Sequence, residues 1–171
     1  MEVATKENIE NNIRTTLEKS LTELVSIPSV SGNTEACSQI LKLVESKCLS
    51  VGLNVQWCKH ENVESIIISR EKNKIEFDIL LLGHLDVVPA PDHMFKPFVK
   101  DGWLYGRGSA DMKSGCAVML QLVLDHVNDL DYANVGLVFT TDEEVGGVCG
   151  AGRLVELGLK SKALFNPDGP D

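Results

Sequence analysis

The sequence lacks several features that mark whole classes of protein. No apolar run, such as residues 66–68 or 79–82, approaches the roughly 20 residues of a membrane-spanning helix. It has 16 Lys and Arg against 25 Asp and Glu, with no basic cluster that could follow nucleic-acid phosphates. Its N-terminus is polar and acidic, where a secretory signal needs a basic start and an apolar stretch. We therefore expect no membrane span, no nucleic-acid partner and a cytoplasmic location.

The number and spacing of the cysteines exclude the familiar disulfide and zinc frameworks. The five cysteines are an odd number without a CxxC pair, and four of them lie in apolar or helical stretches. This pattern predicts reduced thiols, with neither a disulfide framework nor a Cys-type zinc site. A composition of 43% hydrophobic and 24% charged residues is that of a globular domain with a real core.

Hydrophobic periodicity places the secondary-structure elements. An apolar residue every four positions from Ile9 to Val25 predicts a helix over 6–25 that ends before Pro28. A second helical pattern begins near Glu35 and ends at Gly52, a typical C-terminal cap. The remaining predictions are strands at 54–57, 65–69 and 77–82, a long loop at 83–109 with a hairpin around 103–105, a helix at 110–127, a strand at 135–140, a helix at 151–157 and a strand at 163–165.

The alternation of strands and helices predicts the fold class. Strands joined by helices form right-handed crossovers, which produce parallel pairs with helices on both faces of the sheet. We therefore expect an α/β fold with three layers, in which a mostly parallel sheet lies between helices.

Side chains suited to chemistry follow three predicted strands and one turn. Because the carboxyl ends of parallel strands open onto one crevice, we expect these side chains to meet at one edge of the sheet. So many carboxylates would repel one another and raise one another's pKa unless a cation lay among them. The sequence thus predicts a metal site. Its candidate residues are His84, Asp86, Asp111, Glu143, Glu144 and Asp168.

Each candidate also has a structural interpretation when it is considered singly. A histidine after a strand is more often packed than a ligand, an acidic pair is usually a solvated loop, and an aspartate can cap a helix or shape a turn. The joint placement of the six residues favours the metal site over these alternatives. The remaining histidines are not placed with other candidate ligands and are interpreted as structural. They are His60, His93 and His126.

Three motifs, GHLDVVP, KDGWLYGRGSADMKSG and TTDEEVGG, resemble those of the di-zinc metallopeptidases that include acetylornithine deacetylase, succinyl-diaminopimelate desuccinylase, aminoacylase and glutamate carboxypeptidase. The resemblance implies a zinc-exopeptidase-like catalytic domain with a cis peptide bond after the bridging aspartate. It also implies the roles of individual residues. The metal ligands would be His84, Asp111 as the bridge, Glu144 and Asp168, with Asp86 orienting the histidine and Glu143 acting as general base.

The resemblance also implies a substrate class. Many members carry Glu in an EPT motif where this sequence has Asp168 in NPDG, which is closer to the dipeptidases and tripeptidases. The expected activity is hydrolysis of an amide or peptide bond in a dipeptide or N-acyl amino acid. Two zinc ions would serve the complete site, and Co²⁺ or Mn²⁺ could replace them.

Members of the resembled family are usually more than twice as long as this chain. We therefore interpret residues 1–171 as the N-terminal half of the catalytic domain, without the lid and dimerisation domain and without the segment that returns a second histidine ligand. On this interpretation the chain alone is inactive and the full-length form is a homodimer. The alternative is an inactive fragment or homologue that serves as a binding module.

Overall fold

The computed structural model describes residues 6–128 and 134–169. Residues 1–5, where the polar N-terminal stretch begins, lie outside these ranges. In the described ranges the helices are α1 (Lys6–Val25), α2 (Thr34–Ser50), α3 (Lys113–Asp125) and α4 (Arg153–Glu156). The strands are β1 (Asn54–His60), β2 (Val63–Ser69), β3 (Glu76–His84), β4 (Phe98–Lys100), β5 (Trp103–Tyr105), β6 (Val135–Thr140) and β7 (Lys160–Phe165).

The main sheet has five strands in the order β1-β2-β6-β3-β7. Strand β3 pairs in parallel with both β6 and β7, and helices α3 and α4 provide the crossovers between these strands. Strand β2 pairs antiparallel with β1, to which a tight turn joins it, and it also pairs antiparallel with β6. The predicted α/β class is confirmed. The sheet is mixed, whereas the sequence predicts a mostly parallel one. The difference comes from β1 and β2, which form a hairpin that the sequence pattern does not predict.

Helices cover both faces of this sheet. Along β2, Ile66 and Ile68 belong to the core beneath α1, α2 and α3, while Ile67 belongs to a smaller core that includes Leu154 of α4. This alternation follows from the two-residue period of a strand. The three-layer arrangement leaves the carboxyl ends of β3, β6 and β7 together at one edge.

Most predicted elements have close counterparts. Helices α1 and α2 lie within a residue or two of their predicted bounds, and β4 and β5 form the expected hairpin within the long loop. The helix predicted at 110–127 begins only at Lys113, and the one predicted at 151–157 is a π-helical turn, Val148–Gly152, followed by the short α4. None of the helices in the described ranges combines the length and apolarity that crossing a bilayer requires.

All five cysteines are free thiols. Cys37, Cys48 and Cys116 are buried in the core, whereas Cys58 and Cys149 are only partly covered. The expectation of reduced core thiols therefore holds for three of the five.

Candidate metal centre

His84 is the centre of the cluster of predicted site residues. It is the last residue of β3, and its side chain is 1% exposed. Its Nε2 atom lies 3.1 Å from Asp111 Oδ1, 3.7 Å from Glu143 Oε2 and 3.7 Å from Asp168 Oδ2. The carboxyl ends of β3, β6 and β7 thus lie together with the turn before α3, and an imidazole nitrogen there faces three carboxylates.

The other ring nitrogen of His84 is held by Asp86. Nδ1 lies 3.0 Å from the Asp86 backbone carbonyl and 3.5 Å from its carboxylate Oδ1. A proton on Nδ1 satisfies these acceptors and leaves Nε2 free to act as a ligand. Asp86 is therefore placed to orient the imidazole, and its backbone oxygen is the nearer partner.

The Asp86 carboxylate is itself fully buried and surrounded by donors. It accepts hydrogen bonds from the Ser31 hydroxyl at 2.6 Å and from the backbone N–H groups of Glu143 at 3.2 Å and Glu144 at 3.3 Å. Burial alone would raise the pKa of Asp86, but the hydrogen bonds from His84 and Ser31 outweigh it and lower that pKa. The interaction between Asp86 and His84 has the opposite effect on the pKa of His84. Burial opposes its charge, yet the contacts with Asp86 raise its pKa to about 9.

Ser31 reaches Asp86 through the chain segment that follows α1. Residue Val30 forms a parallel bridge with Val87, and Ser31 N–H donates to the Val87 carbonyl at 3.1 Å. Sequence analysis missed Ser31, because its only signal is a serine in a turn between two helices. The contact appears only when the α1–α2 connection lies beside the extension of β3.

Asp111 is presented by the turn before α3. The peptide bond between Asp111 and Met112 is cis, as the resemblance implied. The next residue, Lys113, is fully buried, and its Nζ donates to the carbonyls of Leu24 and Ile27 at 3.0 Å each. Burial lowers the pKa of Lys113 to about 8. Lys113, which the sequence did not single out, ties the start of α3 and the Asp111 turn to the end of α1.

The two glutamates after β6 take different positions. Glu144 lies with His84 and Asp111, and its Oε1 accepts a hydrogen bond from Val88 N–H at 3.2 Å. Glu143 lies instead with His84 and Asp168, and its side chain is 53% exposed. In each group of three, the potential ligand atoms all lie within 4.8 Å of one another. Glu143, the predicted general base, therefore lies as close to His84 as the predicted metal ligand Asp168 does.

The donors fit a divalent cation. Burial and then the neighbouring Asp111 carboxylate raise the pKa of Glu144, so a divalent cation bound among these carboxylates would relieve their repulsion. Imidazole nitrogen and carboxylate oxygen are both common ligands of divalent metal ions. The residues present thus fit a divalent cation.

The sequence matches a known protein family. Residues 80–170 match the model of peptidase family M20/M25/M40. The chain is 34% identical over 142 residues to succinyl-diaminopimelate desuccinylase 2 of Shewanella loihica, covering 78% of this chain and 36% of that protein. It is 31% identical over 152 residues to the succinyl-diaminopimelate desuccinylase of Buchnera aphidicola, covering 84% and 39%. The chain therefore spans less than half the length of these curated relatives.

Solved structures share the fold. Human carnosine dipeptidase 1 superposes with a TM-score of 0.73 at 20% identity, covering 93% of this chain and 39% of that one. A tripeptidase from Staphylococcus aureus superposes with a TM-score of 0.65 at 25% identity, covering 92% and 44%. The catalytic domains of such peptidases and the three-layer fold described above therefore have the same architecture.

Proposed function

This chain belongs to peptidase family M20/M25/M40, and on that premise we propose that it contributes the N-terminal part of a catalytic domain that hydrolyses amide or peptide bonds with a divalent metal. The observation that carries this proposal is the position of His84 Nε2, which lies within 3.1 to 3.7 Å of three carboxylates from three separate chain segments. A structural imidazole would need one such partner, whereas a metal ligand would share its ion with several.

The metal would be held by residues from four segments. His84 ends β3, Asp111 precedes α3, and Glu144 and Asp168 follow β6 and β7. We propose two zinc ions for the complete site, with Co²⁺ or Mn²⁺ as functional substitutes. Bound metal would polarise the scissile carbonyl and lower the pKa of water towards neutrality.

Glu143 is the proposed general base. Its backbone N–H is fixed by the Asp86 carboxylate, while its side chain is exposed enough to meet a water molecule. Its Oε2 would accept a proton from that water and then deliver it to the nitrogen of the leaving amine. Asp86 would keep the proton of the neutral His84 imidazole on Nδ1, so that Nε2 stays free to bind the metal.

The proposed substrates are dipeptides and N-acyl amino acids. The curated relatives are succinyl-diaminopimelate desuccinylases, and the solved neighbours are named as a dipeptidase and a tripeptidase. Dipeptides and N-acyl amino acids both contain an amide bond whose hydrolysis releases an amino acid. The complete enzyme would act as a homodimer.

The test uses the protein translated from the whole reading frame that contains this segment. Release of amine from N-succinyl amino acids and from dipeptides is measured after chelation and again after Zn²⁺, Co²⁺ or Mn²⁺ is restored. We expect activity only with metal, and none from the 171-residue chain alone, which spans 36% of its desuccinylase relative. Failure to hydrolyse either substrate class after metal is restored would overturn the proposal in favour of a binding module.

A further inference from the structure

A second group of side chains that could bind a metal ion lies outside the centre around His84. It consists of His60, Glu61 and Cys149, whose potential ligand atoms all lie within 4.8 Å of one another. The Cys149 Sγ and Glu61 Oε2 atoms are 3.9 Å apart. This group shares no residue with the first centre and has no part in the proposed hydrolysis.

Two of the three residues come from the β1-β2 hairpin. His60 is the last residue of β1 and pairs with Val63, so that it stands at the closed end of the ladder. Glu61 follows in the turn between β1 and β2 with a φ of +52°, a left-handed conformation. The hairpin thus presents an imidazole and a carboxylate side by side.

The third residue arrives from a segment 88 positions later. Cys149 lies in the π-helical turn before α4, where its backbone N–H donates to Asp142 Oδ2 at 3.0 Å. The hairpin is joined to the same region independently, because the Thr141 hydroxyl donates to the Glu64 carbonyl at 2.8 Å. Both sides of the group are therefore anchored, and little movement would be needed to close the donors around an ion.

The donor set selects the kind of ion. A thiolate is a soft ligand that Mg²⁺ and Ca²⁺ do not favour, whereas one nitrogen, one oxygen and one sulfur suit tetrahedral Zn²⁺ or Co²⁺ with a fourth position for water. His60 and Cys149 are partly exposed, which gives an ion access from solvent.

We propose that His60, Glu61 and Cys149 form a separate mononuclear site for a thiophilic divalent ion, of which Zn²⁺ is the natural example. An ion there links the β1-β2 hairpin to the segment that follows the Glu143 and Glu144 loop. The sequence did not predict this site, because the expectation of no Cys-type zinc site rested on the missing CxxC pair. Here the fold brings together ligands that lie far apart in sequence.

Cobalt distinguishes the two centres spectroscopically. Thiolate bound to Co²⁺ gives an intense near-ultraviolet charge-transfer band, and the group around His84 offers only nitrogen and oxygen ligands. Titration of the reduced 171-residue chain with Co²⁺ is expected to produce this band. Cys149→Ser should abolish the band, whereas Cys58→Ser, a change at another partly covered thiol, should leave it intact.

A second variant separates ligation from folding. His60→Ala keeps the thiol, and loss of a direct ligand should weaken cobalt affinity at least as much as loss of an outer-shell partner, on the order of 10- to 100-fold. Circular dichroism checks that each variant is folded. A missing band in the unaltered chain, a band that survives Cys149→Ser, or unchanged affinity in His60→Ala would overturn the proposal.

The result is independent of the hydrolase proposal. Glu144→Ala should reduce the total cobalt bound without changing the charge-transfer band, because Glu144 belongs only to the centre around His84. A protein without metal at His84 but with the band would contradict the proposed function alone. The reverse pattern would contradict the second site alone.

Discussion

At the scale of single residues, surroundings give chemically similar carboxylates different tasks. Asp86 is fully buried but has three hydrogen-bond donors, and the pKa of its carboxyl is lowered. Glu144 is partly covered next to Asp111, and the pKa of its carboxyl is raised. A carboxylate such as Asp86, whose charge is already stabilised by hydrogen bonds, can orient a ligand without binding the metal itself. A carboxylate such as Glu144, whose charge is destabilised by a neighbouring carboxylate, is stabilised by binding a cation.

The adjacent glutamates provide the first prediction. In the protein from the whole reading frame, Glu143→Ala should leave zinc content nearly intact and reduce turnover by roughly two to four orders of magnitude, as loss of a general base does. Glu144→Ala should lose zinc as well as activity, because it removes a proposed ligand. Zinc is counted by atomic absorption after dialysis, and turnover is measured on the best substrate.

Glu18→Ala on α1 is the matched control, since it removes an exposed carboxylate far along the chain from the proposed ligands. It should alter neither quantity. Equal loss of zinc in the Glu143 and Glu144 variants would instead make Glu143 a ligand, which its position beside His84 and Asp168 would accommodate.

The raised pKa of His84 gives a prediction about pH. Because that pKa is about 9 in the metal-free chain, His84 carries a proton at neutral pH, and zinc must displace it to reach Nε2. Apparent zinc affinity at this centre should therefore rise about tenfold per pH unit between roughly pH 7 and 8.5, then level off above the pKa. Competition with a chromophoric chelator measures the affinity.

Two control variants accompany this measurement of zinc affinity. His93→Asn changes an exposed histidine and should keep the slope, while Cys149→Ser removes any contribution from the second site. A zinc affinity that does not change over this pH range would mean that His84 is already neutral in the free protein.

At the scale of elements, the sequence pattern predicted what periodicity and strand ends control. Helices α1 and α2 were predictable because each has an apolar stripe and a stop signal, Pro28 or Gly52. The closed ends of β1 and β2 were not, because Lys59, His60 and Glu64 are polar and hide the strands in the pattern. Polar strand ends lack the apolar pattern of a strand, so the sequence does not predict the antiparallel hairpin.

The candidate site divides in the same way. His84, Glu143 and Asp168 were predictable, because each lies at or just beyond the carboxyl end of a strand, and these ends open at one edge of the sheet. Ser31 and Lys113 were not, because their partners are an aspartate 55 residues away and two carbonyls 86 and 89 residues away. Contacts of this kind depend on how helices pack on the sheet, which periodicity does not specify.

The packing of α3 behind His84 gives a prediction at this scale. A Cβ atom at Gly83 would lie 2.8 Å from both Cys116 Sγ and Met119 Cε, two side chains of α3. Gly83→Ala should therefore destabilise the chain by about 1 to 3 kcal/mol, the usual cost of overpacking a core. Urea unfolding followed by circular dichroism measures this change in the free energy of unfolding.

Gly169→Ala is the control, since a Cβ atom there would meet nothing within 4 Å. It should change the free energy of unfolding by less than about 0.5 kcal/mol. If Gly83→Ala were equally neutral, α3 would pack more loosely against β3 than the structure shows.

At the scale of the whole molecule, one end of the sheet exposes apolar side chains. In the described part of the chain, β7 is the terminal strand next to β3, and its Leu164 and Phe165 are 58% and 53% exposed. An exposed apolar edge is a template for pairing with another chain. The curated relatives, of which this chain spans 36 to 39%, have further residues available to cover such a surface.

The 171-residue chain should therefore associate with itself through β7. A charge at the exposed position opposes edge-to-edge pairing, so Phe165→Lys should shift the chain towards monomer. Val155→Lys is the matched control, because Val155 is 67% exposed on α4 rather than on an edge strand. Sedimentation velocity over a range of concentrations should show dimers or larger species for the unaltered chain and for Val155→Lys, and mainly monomer for Phe165→Lys. A monomeric unaltered chain would mean that this edge is protected in solution, and equal effects of the two lysines would assign the association to net charge instead of to β7.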